Sequence, residues 1–273
     1  MRKTHRVCAQ ALGTLLICAR AAAGGGGYLS FLPPPSVPAE FDQVDFHFRM
    51  IDNPGRNANA YYAQNFNIRF SDGSPTVGGY MGLQSTSYAT GKDSYALATI
   101  WPLPGQVLSL SPGPNARCTE APTSAEGHIA TCTITAAHPL ADAMRNGDTF
   151  RLYVKVVSAD AAGKVFRFGI VNRSNNAEYV LGDMKLRNAV GINSFGLSHF
   201  LEYFGANSAS CATIPYTAYT EYAPQGFKSG SAYRYRVTTN PDGPFGPCQK
   251  NIAFSQDGSA ATVEFAIKTA DPL

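Results

Sequence analysis

The chain has 273 residues, of which 44% are hydrophobic and only 15% are charged, against roughly 25% charged residues in ordinary soluble domains. It contains 14 Tyr and 16 Phe but one Trp, together with 26 Gly and 18 Pro. Few charges and many aromatic residues indicate a large core, which excludes a disordered, collagen-like or coiled-coil chain. The formal net charge is +3, and its origin lies in the first residues of the chain.

Residues 1–23 are typical of a secretory signal: a basic start, the apolar stretch Ala11–Ala19 and the small residues Ala21–Ala23. The apolar stretch is shorter than the ~20 residues that a membrane-spanning helix needs. Removal of residues 1–23 takes away four cations and leaves 18 Lys and Arg against 19 Asp and Glu. The sequence therefore predicts an exported protein, periplasmic or extracellular, with no transmembrane segment after processing and no basic surface for nucleic acid.

After the signal, residues 24–40 are dense in Gly and Pro and predict an irregular leader or tether. From residue 41 to residue 273 we find no further boundary or repeat, so this part is predicted to be one domain. Its dominant pattern is apolar and polar alternation with a period of two, for example Val44, Phe46, Phe48 and Met50 between polar residues. Such alternation is typical of half-buried strands.

Similar strands are predicted around Phe66–Phe70, Phe150–Val156, Tyr233–Val237 and Val263–Ile267, and at 78–84, 93–101, 106–111, 128–135, 164–172, 177–182, 196–204 and 214–222. Turn residues such as Asp72-Gly73 and Asp257-Gly258 separate many of them. The one helix prediction is Pro139–Asn146, which has Pro in its first turn and Gly147 beyond its end. About a dozen short strands predict an all-β fold, an antiparallel two-sheet sandwich of jelly-roll or lectin-like type.

Four cysteines remain after processing: Cys118, Cys132, Cys211 and Cys248. An even number in an exported protein favours disulfides, with three connectivities to choose from. A local Cys118–Cys132 bridge across a hairpin-like loop would leave Cys211 to pair with Cys248. The alternative is a four-cysteine zinc site, which the absence of a C-x-x-C pair disfavours.

Familiar catalytic and cofactor motifs are absent from the sequence, including G-x-S-x-G, H-E-x-x-H and a phosphate-binding glycine loop. No cofactor is therefore predicted. The histidines that follow the signal lie at none of the spacings that place two metal ligands on one strand or helix face, so no metal site is predicted.

Acidic residues are the candidates for catalysis. Glu202 alternates onto the same face as Phe200 and Phe204, and a carboxylate on an apolar face is either paired for structural reasons or part of a site. Glu126 precedes Gly127 and His128 inside the predicted Cys118–Cys132 loop. Two facing carboxylates are the usual requirement of glycan hydrolysis, so Glu126 and Glu202 form one hypothesis for an acid/base pair, and each has an ordinary structural alternative.

A second catalytic hypothesis uses His128 as the base and Tyr203 as the acid.

Trp101, the only Trp, ends a predicted strand. It either packs in the core or offers a flat apolar surface on which a sugar ring stacks.

The run Gly78-Gly79-Tyr80-Met81-Gly82-Leu83-Gln84, with Ile100-Trp101, Glu126-Gly127, Tyr153 and Glu202-Tyr203-Phe204, resembles a family of exported bacterial and fungal proteins known as domain of unknown function 3472. The similarity covers roughly residues 60–225. It implies an exported β-sandwich, often found in glycan-related settings, with no established reaction. Two departures from the family pattern are Pro102 directly after the Trp and the predicted helix in the place of a second Trp.

The resemblance implies a ligand-binding surface with Tyr80, Gln84 and Trp101, to which we add Tyr203. The sequence therefore predicts an exported sandwich that binds a glycan or polysaccharide without catalysis. One alternative is a polysaccharide hydrolase or lyase that uses Glu126 and Glu202. The other is a structural or adhesive surface protein.

Overall fold

The computed structural model describes residues 25–55, 58–85, 95–134, 144–203, 211, 214–245, 248 and 252–265. Within these residues the chain forms 19 β-strands and no helix. In chain order the strands are β1 (Gly25–Leu32), β2 (Glu40–Phe41), β3 (Gln43–Asp52), β4 (Ala60–Phe70), β5 (Val77–Ser85), β6 (Tyr95–Ile100), β7 (Val107–Pro112), β8 (Ala116–Ser124), β9 (Gly127–Ile134), β10 (Thr149–Asp160), β11 (Gly163–Asn172), β12 (Ala177–Arg187), β13 (Ala189–Asn193), β14 (Ser198–Tyr203), β15 (Thr217–Lys228), β16 (Ser231–Arg234), β17 (Arg236–Phe245), β18 (Ile252–Gln256) and β19 (Ala260–Phe265).

The strands build two antiparallel sheets. A ten-stranded sheet has the order β17-β1-β14-β4-β5-β6-β9-β8, with β13 and β2 joined to its side at β4. A nine-stranded sheet has the order β18-β19-β15-β3-β10-β11-β12-β7, with β16 paired to β15. The predicted all-β, antiparallel two-sheet sandwich is confirmed, with more strands than the dozen expected.

The core lies between the two sheets and is rich in aromatic rings. Phe48 of β3 stacks on Tyr62 of β4 with ring centroids 5.9 Å apart, and Phe66 meets Phe168 across the sandwich at 5.7 Å. These side chains are fully buried. Because side chains alternate along a strand, the neighbours of each core residue point to the opposite face. This alternation leaves a second set of residues on the outer face of each sheet.

The N-terminal segment differs from the prediction of a tether over residues 24–40. Gly25–Leu32 forms β1, an internal strand that pairs with β14 on one side and with β17 on the other. Leu29 and Phe31 are buried in the core. Gly27 lies so close to its neighbours that an added Cβ would stand 2.7 Å from the Phe254 ring. The glycines here permit close packing instead of making the chain irregular.

Both predicted disulfides are present. Cys118 and Cys132 face each other on the paired strands β8 and β9, and Cys211 is bonded to Cys248. Such bonds persist in oxidising compartments, which is consistent with the predicted export. The signal at 1–23 and most of the Pro139–Asn146 helix prediction lie outside the described residues. Among the residues that are described, no helix is long and apolar enough to cross a membrane.

Candidate functional site

The outer face of the ten-stranded sheet carries the candidate site. Cross-strand pairing places Glu202 of β14 opposite Tyr61 of β4, and Tyr61 opposite Gln84 of β5. We call these three residues the Glu202 row. Two positions along the strands, the next row consists of Phe200, Ala63 and Gly82, and the row after that consists of Ser198, Asn65 and Tyr80.

Aromatic rings on this outer face form a small apolar cluster separate from the core. We call it the aromatic face, and it consists of Tyr28, Tyr61, Tyr80, Trp101 and Phe200. Tyr61 lies at its centre, with ring centroids 5.5 Å from both Tyr80 and Phe200. Tyr28 packs on Phe200 at 5.8 Å and Trp101 on Tyr80 at 5.1 Å. Tyr61 and Phe200 are only 4% and 3% exposed, although they face away from the core.

The small residues of the middle row decide where the Tyr61 ring lies. A Cβ on Gly82 would stand 2.8 Å from Cε2 of Tyr61, so the ring leans over Gly82 and toward Phe200 and Tyr80. It therefore leans away from its own row. Glu202 and Gln84 stand on either side of Tyr61 in their row, and both are half-buried.

Glu202 has an unusual protonation equilibrium. Burial in this apolar surrounding raises the pKa of its carboxyl from 4.5 to about 7, and the negative charge of Glu126 adds to the increase. Burial, with the charge of Glu202, also raises the pKa of Tyr28 to about 12. At neutral pH Glu202 is therefore populated both as acid and as carboxylate, which is the condition that favours a general acid/base group.

Glu126 belongs to the hairpin of β8 and β9, which forms one edge of the ten-stranded sheet. It lies in the exposed turn between β8 and β9, where its backbone N–H donates to Oγ of Ser124 at 3.1 Å. The Cys118–Cys132 disulfide joins the two strands that carry this turn. Because the charge of Glu126 influences Glu202, the turn lies within electrostatic range of the aromatic face.

Four of the residues singled out from the sequence thus meet on one face. Tyr80 and Trp101 are in contact, Gln84 follows Tyr80 on the same side of β5, and Glu202 lies in the row of Gln84. Gln84 and Trp101 are both half-buried. Whether these residues bind a ligand stays a prediction.

The proposed partnership of His128 and Tyr203 does not fit the structure. Tyr203 points into the core, is fully buried and donates its hydroxyl to the carbonyl of Pro215 at 2.7 Å. Alternation along β14 requires this, since Glu202 faces outward. His128 has its Nε2 2.7 Å from Oε1 of Glu120 on the same hairpin. Tyr203 is therefore a core residue and not a ligand-binding one.

A buried polar cluster lies on the inner side of the same two strands. Nε2 of Gln64 lies 3.0 Å from Nδ1 of His199 and donates to Oε2 of Glu221 at 3.1 Å, while Nε2 of His199 lies 2.6 Å from the hydroxyl of Tyr219. Burial raises the pKa of Glu221 well above its usual value and lowers that of His199 to about 3. Burial thus favours the uncharged form of both groups, and the cluster ties β4 and β14 to β15 of the other sheet.

The outer face of the nine-stranded sheet carries a groove of about 190 Å³ with charged walls. Two of the cations in its wall are paired with carboxylates outside it, Arg151 with Asp45 at 3.4 Å and Arg167 with Asp183. Arg167 makes two hydrogen bonds to Asp183 at 2.8 and 2.9 Å, and Tyr153 donates to Glu178 at 2.9 Å. No group of three metal-ligating side chains occurs in the part of the chain that the structure describes.

Sequence reasoning placed Phe200 on the face of Glu202 but missed Tyr28, Asn65 and the central position of Tyr61. Tyr28 was assigned to the leader. The others alternate correctly in sequence, but only the strand order β1-β14-β4-β5 shows that they are neighbours. The sequence did contain one indication of the face: Ala63 and Gly82 are small residues that each lie between two larger residues of the same strand face.

Comparisons with known proteins find likeness at the level of structure only. No family model matches the chain, so the resemblance to domain of unknown function 3472 stays a prediction, and no curated protein matches its sequence. Two crystal structures of scytalido-glutamic peptidase, one with a peptide-based transition-state analog and one with a transition-state analog inhibitor, align with TM-scores of 0.40 at 14% and 13% identity. The first alignment covers 89% of this chain and 98% of the peptidase chain, and the second covers 90% and 100%.

A third structure is SCP-B, a member of the Eqolisin family of peptidases in complex with the tripeptide Ala-Ile-His. It aligns with a TM-score of 0.39 and 13% identity over 89% of this chain and 98% of its own. Values this low support no conclusion about chemistry, which has to come from the aromatic face itself.

Proposed function

We propose that the aromatic face is a hydrolytic site for acyl bonds in an extended peptide, with Glu202 as the general acid/base and Gln84 as the donor to the developing oxyanion. The observation that carries the proposal is the Glu202 row. It sets a carboxyl group with a pKa of about 7 across Tyr61 from a side-chain amide, two strands away on the same face of the sheet.

The spacing of the row suits a bond placed between the two groups. Glu202 and Gln84 lie on strands separated by β4, so their backbones are about 10 Å apart at the usual ~4.8 Å between strands. Both side chains rise from the sheet on the same side. In the proposed complex a substrate carbonyl and one water lie between these two side chains.

The chemistry follows from the protonation states. The carboxylate form of Glu202 takes a proton from water as the water oxygen attacks the carbonyl carbon. Nε2 of Gln84 donates a hydrogen bond to the oxygen that gains negative charge, a role that side-chain amides perform in oxyanion holes. Protonated Glu202 then gives its proton to the leaving nitrogen, the C–N bond breaks, and the carboxylate is restored.

The half-buried rings of Tyr80 and Trp101 supply the binding surface in this proposal. An apolar side chain of a peptide gains about 25 cal/mol for each Å² of surface removed from water. Tyr80 and Trp101 lie along the strand direction from the Glu202 row, so a chain that runs over β4 reaches both the rings and the reacting groups.

The test is cleavage of a mixed peptide library by the full chain, with products identified by mass spectrometry. We expect cleavage by the wild type near pH 7 and losses of at least about a hundredfold in Glu202→Gln and Gln84→Ala, since one oxyanion donor is worth roughly 10²–10³ in rate. Glu264→Gln changes an exposed carboxylate on β19 and serves as the matched control. Full activity in Glu202→Gln would overturn the proposal.

Glycan binding without catalysis is the second candidate, and the edge of the aromatic face favours it. The half-buried Trp101 ring against Tyr80 is the type of surface on which sugar rings stack. This candidate predicts retention of the protein on a polysaccharide, lost in Trp101→Ala and Tyr80→Ala and unchanged in Glu202→Gln. Cleavage of a glycan that needs both Glu126 and Glu202 would instead support a polysaccharide hydrolase in the exported compartment.

A further inference from the structure

Asn65 has a feature that the proposed reaction does not use. It lies on the outer side of β4, is 6% exposed, and donates from Nδ2 to Oγ of Ser198 at 2.9 Å. Its Oδ1 is buried and has no hydrogen-bond partner among the residues that the structure describes. The side-chain amide is thus held at one end and unsatisfied at the other.

A buried carbonyl oxygen without a donor is rare in folded proteins, because the group gives up its bonds to water and receives nothing in return. The position of Asn65 relates this unpaired oxygen to the proposed site. It belongs to the row of Ser198 and Tyr80 on the same face as Glu202 and Gln84, and it lies on the strand that passes between those two residues.

Distance along β4 relates Asn65 to the reacting groups. Asn65 and Tyr61 are four residues apart on one strand, which is about 13 Å at the ~3.3 Å rise of a β-strand. An extended peptide has the same rise. A peptide that runs over β4 with its cleaved bond in the Glu202 row therefore brings its fourth residue to Asn65.

We propose that Asn65 is a specificity-determining subsite that accepts a backbone N–H of the peptide about four residues from the cleaved bond. This inference rests on the proposed function, because it takes the Glu202 row as the point of cleavage. Tyr80 is directly opposite Asn65, and Trp101 packs on Tyr80. The proposal therefore requires that binding exposes Oδ1, and the fluorescence of Trp101, the single Trp of the chain, is the readout for that change.

The experiment compares two synthetic peptides that differ only in length on one side of the cleaved bond, two residues or five, tested in both directions from the bond. Five residues extend about 16 Å and reach Asn65, whereas two do not. We expect Asn65→Ala to lower kcat/KM about fivefold to tenfold for the longer peptide and to leave the shorter one unchanged. Asn67→Ala is the matched control, because Asn67 lies on the same face of β4 about 20 Å from the Glu202 row.

Asn65→Asp is the second variant, since it keeps the shape and the acceptor and is expected to retain the length dependence. Equal losses for both peptides in Asn65→Ala, or no loss for either, would overturn the subsite. If the wild type cleaves neither peptide, the proposed function fails by itself, and Trp101 emission then measures binding. Binding of the longer peptide that is lost in Asn65→Ala supports the subsite without catalysis, and absence of binding overturns it.

Discussion

Replacement of Glu202 by Gln is expected to change the pH dependence of stability in a defined direction. Burial and the charge of Glu126 raise the pKa of this carboxyl from 4.5 to about 7. Between these values the folded state binds more protons than the unfolded state, so stability falls as pH rises. The Gln variant has no titrating group at this position, so its free energy of unfolding should lack the decrease that the titration of Glu202 causes in the wild type.

The size of the effect follows from the two pKa values. A difference of about 2.5 units at 1.36 kcal/mol per unit corresponds to about 3 kcal/mol, as an upper value because Glu202 is only half-buried. Relative to the wild type, Glu202→Gln should therefore gain up to about 3 kcal/mol in free energy of unfolding between pH 4 and pH 8. The gain should occur between about pH 4.5 and pH 7 and level off above.

Urea unfolding followed by Trp101 fluorescence measures this difference at each pH. The comparison with the wild type cancels the contributions of other titrating groups, such as the buried Glu221, provided that they are distant from the substitution. Glu264→Gln, on an exposed position of β19, should show no such trend. A constant difference between Glu202→Gln and the wild type from pH 4 to pH 8 would refute the argument that burial holds Glu202 protonated.

Three further predictions concern groups around the site and the core. Glu126→Gln should lower the pKa of Glu202, since the negative charge of Glu126 raises that pKa. A ¹³C NMR titration of the Glu202 carboxyl measures the shift, and an unchanged midpoint would contradict the coupling of the two carboxylates. Removal of the Cys118–Cys132 disulfide by paired substitution to Ala should cost about 3 kcal/mol in urea unfolding, as expected for a loop of about 15 residues; a loss below about 1 kcal/mol contradicts this estimate. Because burial lowers the pKa of His199 to about 3, stability should fall as pH drops below 6.5, and His199→Gln should reduce that fall in acid unfolding curves.

The strands were predictable because their alternation is local. The segment around Phe46 and the segment Phe150–Val156 show it directly in sequence, and both are strands of the nine-stranded sheet. The strand Gly25–Leu32 was missed since its glycines suggested a flexible chain. The alternation of Leu29 and Phe31 was present in it, and the need for Gly27 arises from the Phe254 ring, which is distant in sequence.

Several members of the candidate site were predictable, but their arrangement was not. Tyr80 and Gln84 were selected from a short motif, and Glu202 from its place beside aromatic residues, yet a period of two does not tell which strands are neighbours. Tyr203 was wrong for a reason that the sequence already contained: if Glu202 faces outward with Phe200, then Tyr203 faces the core. The buried cluster of His199 and Glu221 depends on two sheets meeting, which no local pattern indicates.

The pH dependence of kcat/KM for peptide cleavage by the full chain tests the central claim most directly. A general base at Glu202 predicts activity that rises through a midpoint near pH 7, because the carboxylate is the form that activates water. In Glu126→Gln the midpoint should move to lower pH, and in Glu202→Gln the activity should be lost at every pH. A profile with no midpoint near pH 7, or one that Glu202→Gln leaves unchanged, would contradict the account.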